Sequence, residues 1–372
     1  MPLTFIGGIK MKKLRVIAIN FTGKCNLKCV HCARKDNEQL QTELPASFFI
    51  DTLKQAVHLG GENVNITGGE IFLRKDCFEL IEGALRLGYF VGIESNGTLI
   101  KEDNIKKLSA YGEKFRISIS LDGMTAKVHD TIRGAESFDK TMSTLKLLSQ
   151  HNVPARVITV LSRNNIKQIP ELAEYVAEEL GLGFRLLPNI IEYGRGVYTC
   201  NEYGVSYMEI DKLLKDFYFD FLRKKNSDKF SIELNVALVP TDIDFHNRCQ
   251  WGTTMVGISP YGTISLCHVQ GSDDRFIFGD LKKDSLKNIW KNSVVLNKFR
   301  NMNPDGLKGI CGNCLARKYC RGGCRLHAIS KYNDFFAPDP QCQTAYDIGM
   351  FPEYAINDHN RNNEYKEGNS NV

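Results

Sequence analysis

Residues 21–35 read FTGKCNLKCVHCARK, a C-x3-C-x2-C triplet of Cys25, Cys29 and Cys32 directly after the apolar run Leu14–Asn20. Three thiolates on one tight loop can hold three irons of a four-iron cluster and leave the fourth iron without a protein ligand. A small chelating molecule can occupy that iron, whereas clusters used for electron transfer normally take four cysteines. A structural zinc site would want a fourth ligand close by, and His31 and His58, the nearby imidazoles, give no zinc spacing. Chemistry at a metal centre is therefore expected ahead of a zinc knuckle.

Working outward from the triplet, β-rich apolar runs alternate with helix-period segments. Strands are expected over Leu14–Asn20, Asn63–Thr67, Phe90–Glu94, Phe115–Leu121, Ala155–Leu161 and Phe184–Leu187. Amphipathic helices are expected over Ser47–Leu59, Asp76–Leu87, Phe138–Gln150 and Gln168–Leu180, and a bridging helix over 206–224. Such β/α repeats with short connections predict a parallel sheet with helices outside it, and functional residues at the carboxyl ends of its strands.

The 372 residues are enough for a large α/β domain and a smaller one. A net charge of +5, with bases and acids interspersed, argues against a nucleic-acid platform. There is no run of eighteen apolar residues, and MPLTFIGGIKMKK lacks an apolar signal core, so no membrane span and a cytoplasmic location are expected. In that compartment twelve cysteines point to metal or redox work rather than disulfides. Cys77, at helical spacing in DCFELIEGALRLG, reads as a buried apolar thiol.

Short polar motifs stand after the expected strands. Gly68, Gly69 and Glu70 follow the second, in NITGGEIFLRKD. The glycines allow close backbone approach and the acid can accept from an ammonium group. Ser95 and Asn96 end the third, in IESNGTL, where the plain alternative is an Asn-Gly turn. Ser118, Ser120 and Asp122 alternate onto one face of the fourth. Arg133, in HDTIRG, can grip a carboxylate with both prongs of its fork, or pair structurally with Asp122. Arg185 and Arg195, in and after the sixth strand, could each meet a carboxylate or backbone.

Together with the triplet these residues resemble the radical S-adenosylmethionine (SAM) enzymes, with Ile71 standing where that family commonly has proline. The resemblance implies an α/β fold, an open, partial (β/α)6 TIM-like barrel. It implies a [4Fe–4S] cluster on Cys25, Cys29 and Cys32 and SAM held by Gly68, Gly69, Glu70, Ser95, Asn96, Ser120, Asp122 and Arg133, and Arg185 could equally contact SAM. The implied chemistry is reductive cleavage of SAM to a 5′-deoxyadenosyl radical, which takes hydrogen from an unactivated carbon.

The C-terminal part carries a second constellation. Cys249 is followed after twelve residues by Gly262 and after four more by Cys267; then come Cys311-x2-Cys314-x5-Cys320-x3-Cys324 and finally Cys342. Zinc is the plain alternative for CxxC pairs, but in every spacing the set is similar to the SPASM extension of radical SAM enzymes. That resemblance implies two auxiliary [4Fe–4S] clusters, a fully ligated one on Cys311, Cys314, Cys320 and Cys342 and a nearer one on Cys249, Cys267 and Cys324. The nearer cluster is one ligand short, with Cys200, His246 or His268 as candidates or the position open to substrate.

The resulting division is an N-terminal extension over 1–13, a radical SAM core over 14–235, a SPASM domain over 236–347 and a disordered tail over 348–372. The expected substrate is a ribosomal peptide or peptide-derived cofactor precursor, to be oxidised or crosslinked. A triplet beginning at residue 25 leaves no room upstream for a leader-binding domain of about eighty residues, so a separate partner would present any leader. A flavodoxin- or ferredoxin-type protein would supply the electron. The alternatives are tetrapyrrole side-chain modification, as in haem synthesis, and a non-enzymatic electron carrier. Asp242, Asp244, His246, Glu192 and Tyr193 are candidates for a general base near the domain junction.

Overall fold

A computed structural model describes residues 13–34, 42–239, 250, 252–266 and 274–357. Seven strands run parallel in chain order: β1 Val16–Thr22, β2 Asn63–Gly68, β3 Phe90–Ser95, β4 Phe115–Ser120, β5 Ala155–Val160, β6 Gly183–Leu187 and β7 Phe230–Ile232. The crossovers hold α1 Ala46–Val57, α2 Cys77–Arg86, α3 Glu102–Ser109, and α4 Ala126–Arg133 with α5 Ser137–Gln150. The expected helix at Gln168–Leu180 is Ile169–Glu174 continued by a π turn, and the bridging helix is likewise interrupted by a π turn at Leu214–Tyr218. Cys77 is buried at the start of α2.

The local causes are visible. In β3 the residues alternate between buried and half-buried, so Val91 and Ile93 go to the helix layer and Gly92 and Glu94 face the barrel interior. α1 presents Phe49, Leu53 and Ala56 to the same layer, where Phe49 meets Phe21 edge-on at 5.5 Å. Each large side chain so buried contributes about 1.5–3 kcal/mol, and Leu53→Ala would cost about 2–5 kcal/mol. α4 begins at Thr125, whose hydroxyl accepts from Val128 N, and stops at Gly134, whose φ of 122° a side chain would resist.

The sheet continues beyond the six expected strands at both ends. β7 adds to β6, and β8 Met255–Ile258 pairs in parallel with β1, followed by antiparallel β9 Thr263–Ser265 and β10 Ile277–Asp280. Residues assigned by composition to the second domain thus complete the barrel sheet, because β1 would otherwise offer an open edge. A small second core holds Leu238, Ile310, Cys314, Cys342, Phe351 and Ala355. The tail expectation is corrected for 348–357: Phe351 and Ala355 are buried there and Ile356 bridges Cys314. Residues 358–372 lie outside the described residues, as do Cys249, Cys267, Asp242, Asp244, His246 and His268. Among the described residues no helix is long and apolar enough to cross a membrane.

Candidate active site

The cysteine loop leaves β1 and is held from several sides. Thr22 Oγ1 and Gly23 N both donate to Glu43 Oε1, at 2.8 and 2.7 Å. Val30 N donates to Ile132 O at 2.9 Å, tying the loop to the end of α4. Arg195 N donates to Cys32 O and its Nε to Cys29 O, both at 2.9 Å. From β2, Gly69 N donates to Thr22 O and Glu70 N to Lys24 O, both at 2.8 Å. A Cβ on Gly69 would lie 1.9 Å from Lys24 O. The glycine at 69 therefore serves close packing of one loop on another, in addition to any approach to a ligand.

Between this loop and the carboxyl ends of the strands lies a cleft of about 240 Å³, lined among others by Cys25, Cys29, Cys32, Gly68, Gly69, Ser95, Asn96, Ser120 and Arg133. Most of the sequence-derived site is thus brought together. Three thiols of one loop beside an arginine and strand-end amides form a donor set that fits a thiolate-held iron–sulfur cluster with a chelating ligand next to it. Burial pushes the Cys29 thiol up to about 11 and that of Cys25 upward, so these thiols need a cation to lose their protons.

Glu70 and Asp122 do not line the cleft. The Glu70 carboxylate is fully buried and accepts from Ser95 Oγ at 2.9 Å, Asn96 N at 2.8 Å and Phe72 N at 3.1 Å. It fastens the end of β3 to the glycine turn. Asp122 is equally buried: Oδ2 takes Arg133 Nε at 2.6 Å and Oδ1 takes Val160 N at 2.8 Å. Of the two roles open to Arg133, the structural pair is made, and the same guanidinium borders the cleft.

The pair has imidazoles around it. His31 Nε2 lies 3.9 Å from Asp122 Oδ2, and His129 Nδ1 accepts from Asp122 N at 3.1 Å. Burial lowers both imidazoles to about 4 despite the Asp122 charge, so they are neutral at pH 7. The Arg133 guanidinium and the Val160 amide hold the Asp122 carboxyl below its usual range despite its burial. Thr67, Glu94, His31 and Arg34 are cleft residues that sequence reasoning left without a site role. Arg195 meets backbone, one of its two expected options, and Arg185 meets the protein's own carboxylate at Glu233.

In the tail, Cys311, Cys314, Cys320 and Cys342 line a single narrow apolar cavity with Ile310, Ala237 and Phe351. Cys324 is placed apart from this lining, its amide donating to Asp339 Oδ2 at 3.2 Å. Burial holds Cys311 up at about 12 and raises Cys314 and Cys342 as well. The Asp339 amide donates to Cys311 Sγ at 3.3 Å.

Residues 19–176 match the model of the radical SAM superfamily, and residues 249–315 that of an iron–sulfur cluster-binding domain. The AdoMet-dependent heme synthase of Methanosarcina barkeri is 28% identical over 350 residues, covering 88% of this chain and 96% of that protein. The mycofactocin maturase MftC of Mycobacterium tuberculosis is 29% identical over 327 residues, covering 86% and 81%. In fold, Streptococcus suis SuiB, solved bound to the precursor peptide SuiA, superposes with a TM-score of 0.73 at 21% identity, over 90% of this chain and 76% of that one. With its cysteine triplet at the mouth of a parallel barrel and four further cysteines around one cavity, the chain carries a radical SAM domain over 19–176 and an iron–sulfur cluster-binding domain over 249–315, and is an enzyme of SAM and iron–sulfur clusters.

Proposed function

We propose that this enzyme oxidises or crosslinks a ribosomally made peptide. When bound, the cluster on Cys25, Cys29 and Cys32 and its SAM supply a 5′-deoxyadenosyl radical that removes hydrogen from the substrate. The chain's own part is placement. Arg133, fixed through Nε by Asp122, presents its remaining donors to a carboxylate at the cleft. Asn96 and Ser120 border the same space, and Glu70 keeps Ser95 and Asn96 in register with the glycine turn. Cys29, Cys32 and their loop are kept in place by Arg195.

The observation that carries the reading is the pairing of this cleft with a separate four-cysteine cavity, since an enzyme of net oxidation needs somewhere to send a second electron. Likeness to MftC and to SuiB, the latter seen with a peptide, supports a peptide as substrate. We assign Cys311, Cys314, Cys320 and Cys342 to the far auxiliary cluster, and Cys249, Cys267 and Cys324 to a nearer one, making three clusters in all. A leader-presenting partner and a flavodoxin- or ferredoxin-type reductant complete the system. Likeness to the heme synthase keeps tetrapyrrole modification as the second reading.

The test is anaerobic reconstitution with iron and sulfide counts and a dithionite assay for 5′-deoxyadenosine. About twelve irons per chain are expected, falling to about eight without deoxyadenosine when Cys25, Cys29 and Cys32 are all replaced by Ala. Zinc in place of iron, with no deoxyadenosine, would overturn the reading.

A further inference from the structure

The inner wall of the barrel carries charge that the site above does not use. Arg116 stands on β4, Arg156 on β5 and Arg185 on β6, so three neighbouring strands each contribute one guanidinium. Ser120 lines the cleft and fixes which face is inward. Arg116 and Ser118 share that face by alternation. Ser118 lies opposite Arg156, and Ser120 opposite Ile158, which in turn lies opposite Arg185. All three arginines therefore project to the interior, with Arg185 in the same cross-strand row as Ser120. Glu94, opposite Ser118, also lines the cleft and so connects it with this wall.

Their charges are poorly matched. Only Arg185 has an ion pair, with Glu233, and its Nε is buried without a partner. Arg156 spends its Nε on Ser118 Oγ at 2.9 Å, and Arg116 has the Phe90 ring at 5.5 Å. Among the described residues neither Arg116 nor Arg156 is paired with a carboxylate. Glu94 is the acid on the wall itself, and it accepts from Thr67 Oγ1 at 3.1 Å. Burial first, and then the neighbouring Arg185 and Arg116, bring Arg156 down to about 9 against the opposing pull of Glu94, which also acts on Arg185, while Asp228 opposes the lowering of Arg116.

Glycines stand on the neighbouring strands beside two of the arginines, Gly92 beside Arg116 and Gly183 beside Arg156, and a Cβ there would meet Asn65 Oδ1 at 2.8 Å or Lys229 O at 2.6 Å. Like charges on adjacent strands destabilise a sheet, and half-buried cations are costly without partners. Folds keep such arrangements mainly at functional sites.

We infer that the Arg116–Arg156–Arg185 wall receives a carboxylate of the substrate inside the barrel. The inference rests on the peptide reading for the source of that carboxylate: an Asp or Glu side chain, or the chain's C-terminus, seated below the cleft while a neighbouring carbon faces the SAM site. A guanidinium fork suits a carboxylate geometrically, and one bound anion would offset the repulsion among three cations.

The test uses reconstituted, SAM-loaded protein without reductant, so that nothing turns over. Random dodecapeptides, displayed once with a free C-terminus and once amidated, are selected on the unaltered protein and on Arg156→Met. Enrichment of Asp and Glu on the unaltered protein, lost in Arg156→Met and recovered in Arg156→Lys, is the expected result. Enrichment only in the free-terminus pool would assign the carboxylate to the chain end. Binders without acidic preference, or with the same preference on Arg156→Met, would overturn the carboxylate site and leave the peptide reading standing.

If no peptide binds, coproporphyrin is titrated as a tetracarboxylate probe. Binding weakened at least tenfold by Arg156→Met, about 1.4 kcal/mol, would keep the carboxylate site and overturn the peptide. Absence of both would overturn the site. Melting temperature separates a structural wall from a binding one. A binding wall gives an Arg156→Met protein with unchanged iron content and an unchanged or higher melting temperature, while a lower one would count against the inference.

Discussion

Arg133 donates its Nε to Asp122 Oδ2 at 2.6 Å while its backbone oxygen lies 3.8 Å from Cys29 Sγ. One residue at the end of α4 thus joins a buried carboxylate to the cysteine loop. Asp122→Asn leaves a buried cation with a weakened partner, and removing one member of such a pair costs about 3–5 kcal/mol. The variant should melt earlier and bind SAM less tightly, by thermal unfolding and by equilibrium dialysis. Arg133→Lys, which keeps the charge but loses the fork, should lower SAM affinity more than it lowers stability.

Glu70→Gln keeps shape and removes an acceptor where three donors converge. An amide NH2 facing either Asn96 N or Ser95 Oγ leaves a buried donor unsatisfied, which costs about 1–3 kcal/mol. Urea unfolding should show that loss. SAM binding should weaken too, since Ser95 and Asn96 lose their common anchor.

Gly69→Ala places a methyl group against Lys24 O, where no side chain can yield. The cysteine loop has to move, and the cluster of that loop should fail to load while iron held by the tail cysteines remains. Iron counting should find a deficit of about four per chain, with the absorbance of the remaining clusters retained. Cys77→Ala, by contrast, should leave the iron content unchanged, because Cys77 is packed in α2 among apolar neighbours.

The buried thiols predict opposite pH behaviour with and without metal. In the metal-free protein Cys29 and Cys311 titrate at about 11 and about 12, above the ordinary 9.0. Folding favours their protonated form, so this contribution to stability is complete below pH 9 and is lost as pH rises through the folded values. The metal-free melting temperature should fall across that alkaline window. Metal competes with protons for the same sulfurs, so cluster loading should become less complete as pH is lowered.

Much of this was legible in the chain itself, for identifiable reasons. The six central strands are apolar runs flanked by amphipathic segments, and the observed boundaries differ from the expected ones by no more than two residues. The resemblance to the SPASM extension grouped Cys311, Cys314, Cys320 and Cys342, and these four line one cavity. β7 and β9, of three residues each, and β8, of four, are too short for periodicity to register and are defined by their partners. The grip of Arg195 on Cys29 O spans 166 positions, and no local pattern announces such a contact. The acceptor chemistry of Glu70 is visible in its residue type, but the donors it takes from Ser95 and Asn96 come from a different strand end and are not.

The parallel pairing of β1 with β8 bears on how the molecule comes into being. During synthesis β1 emerges early and finds β2 and its helix, but its other edge stays bare until residues 255–258 have been made. The loop bearing Cys25, Cys29 and Cys32 hangs from the end of that half-supported strand. The edge of β1 therefore waits for the C-terminal part of the chain, and a barrel released without its tail would carry an unguarded strand. The strand that the tail covers is the edge on which an incomplete chain would pair with another copy, so finishing the chain both closes the sheet and guards it against association.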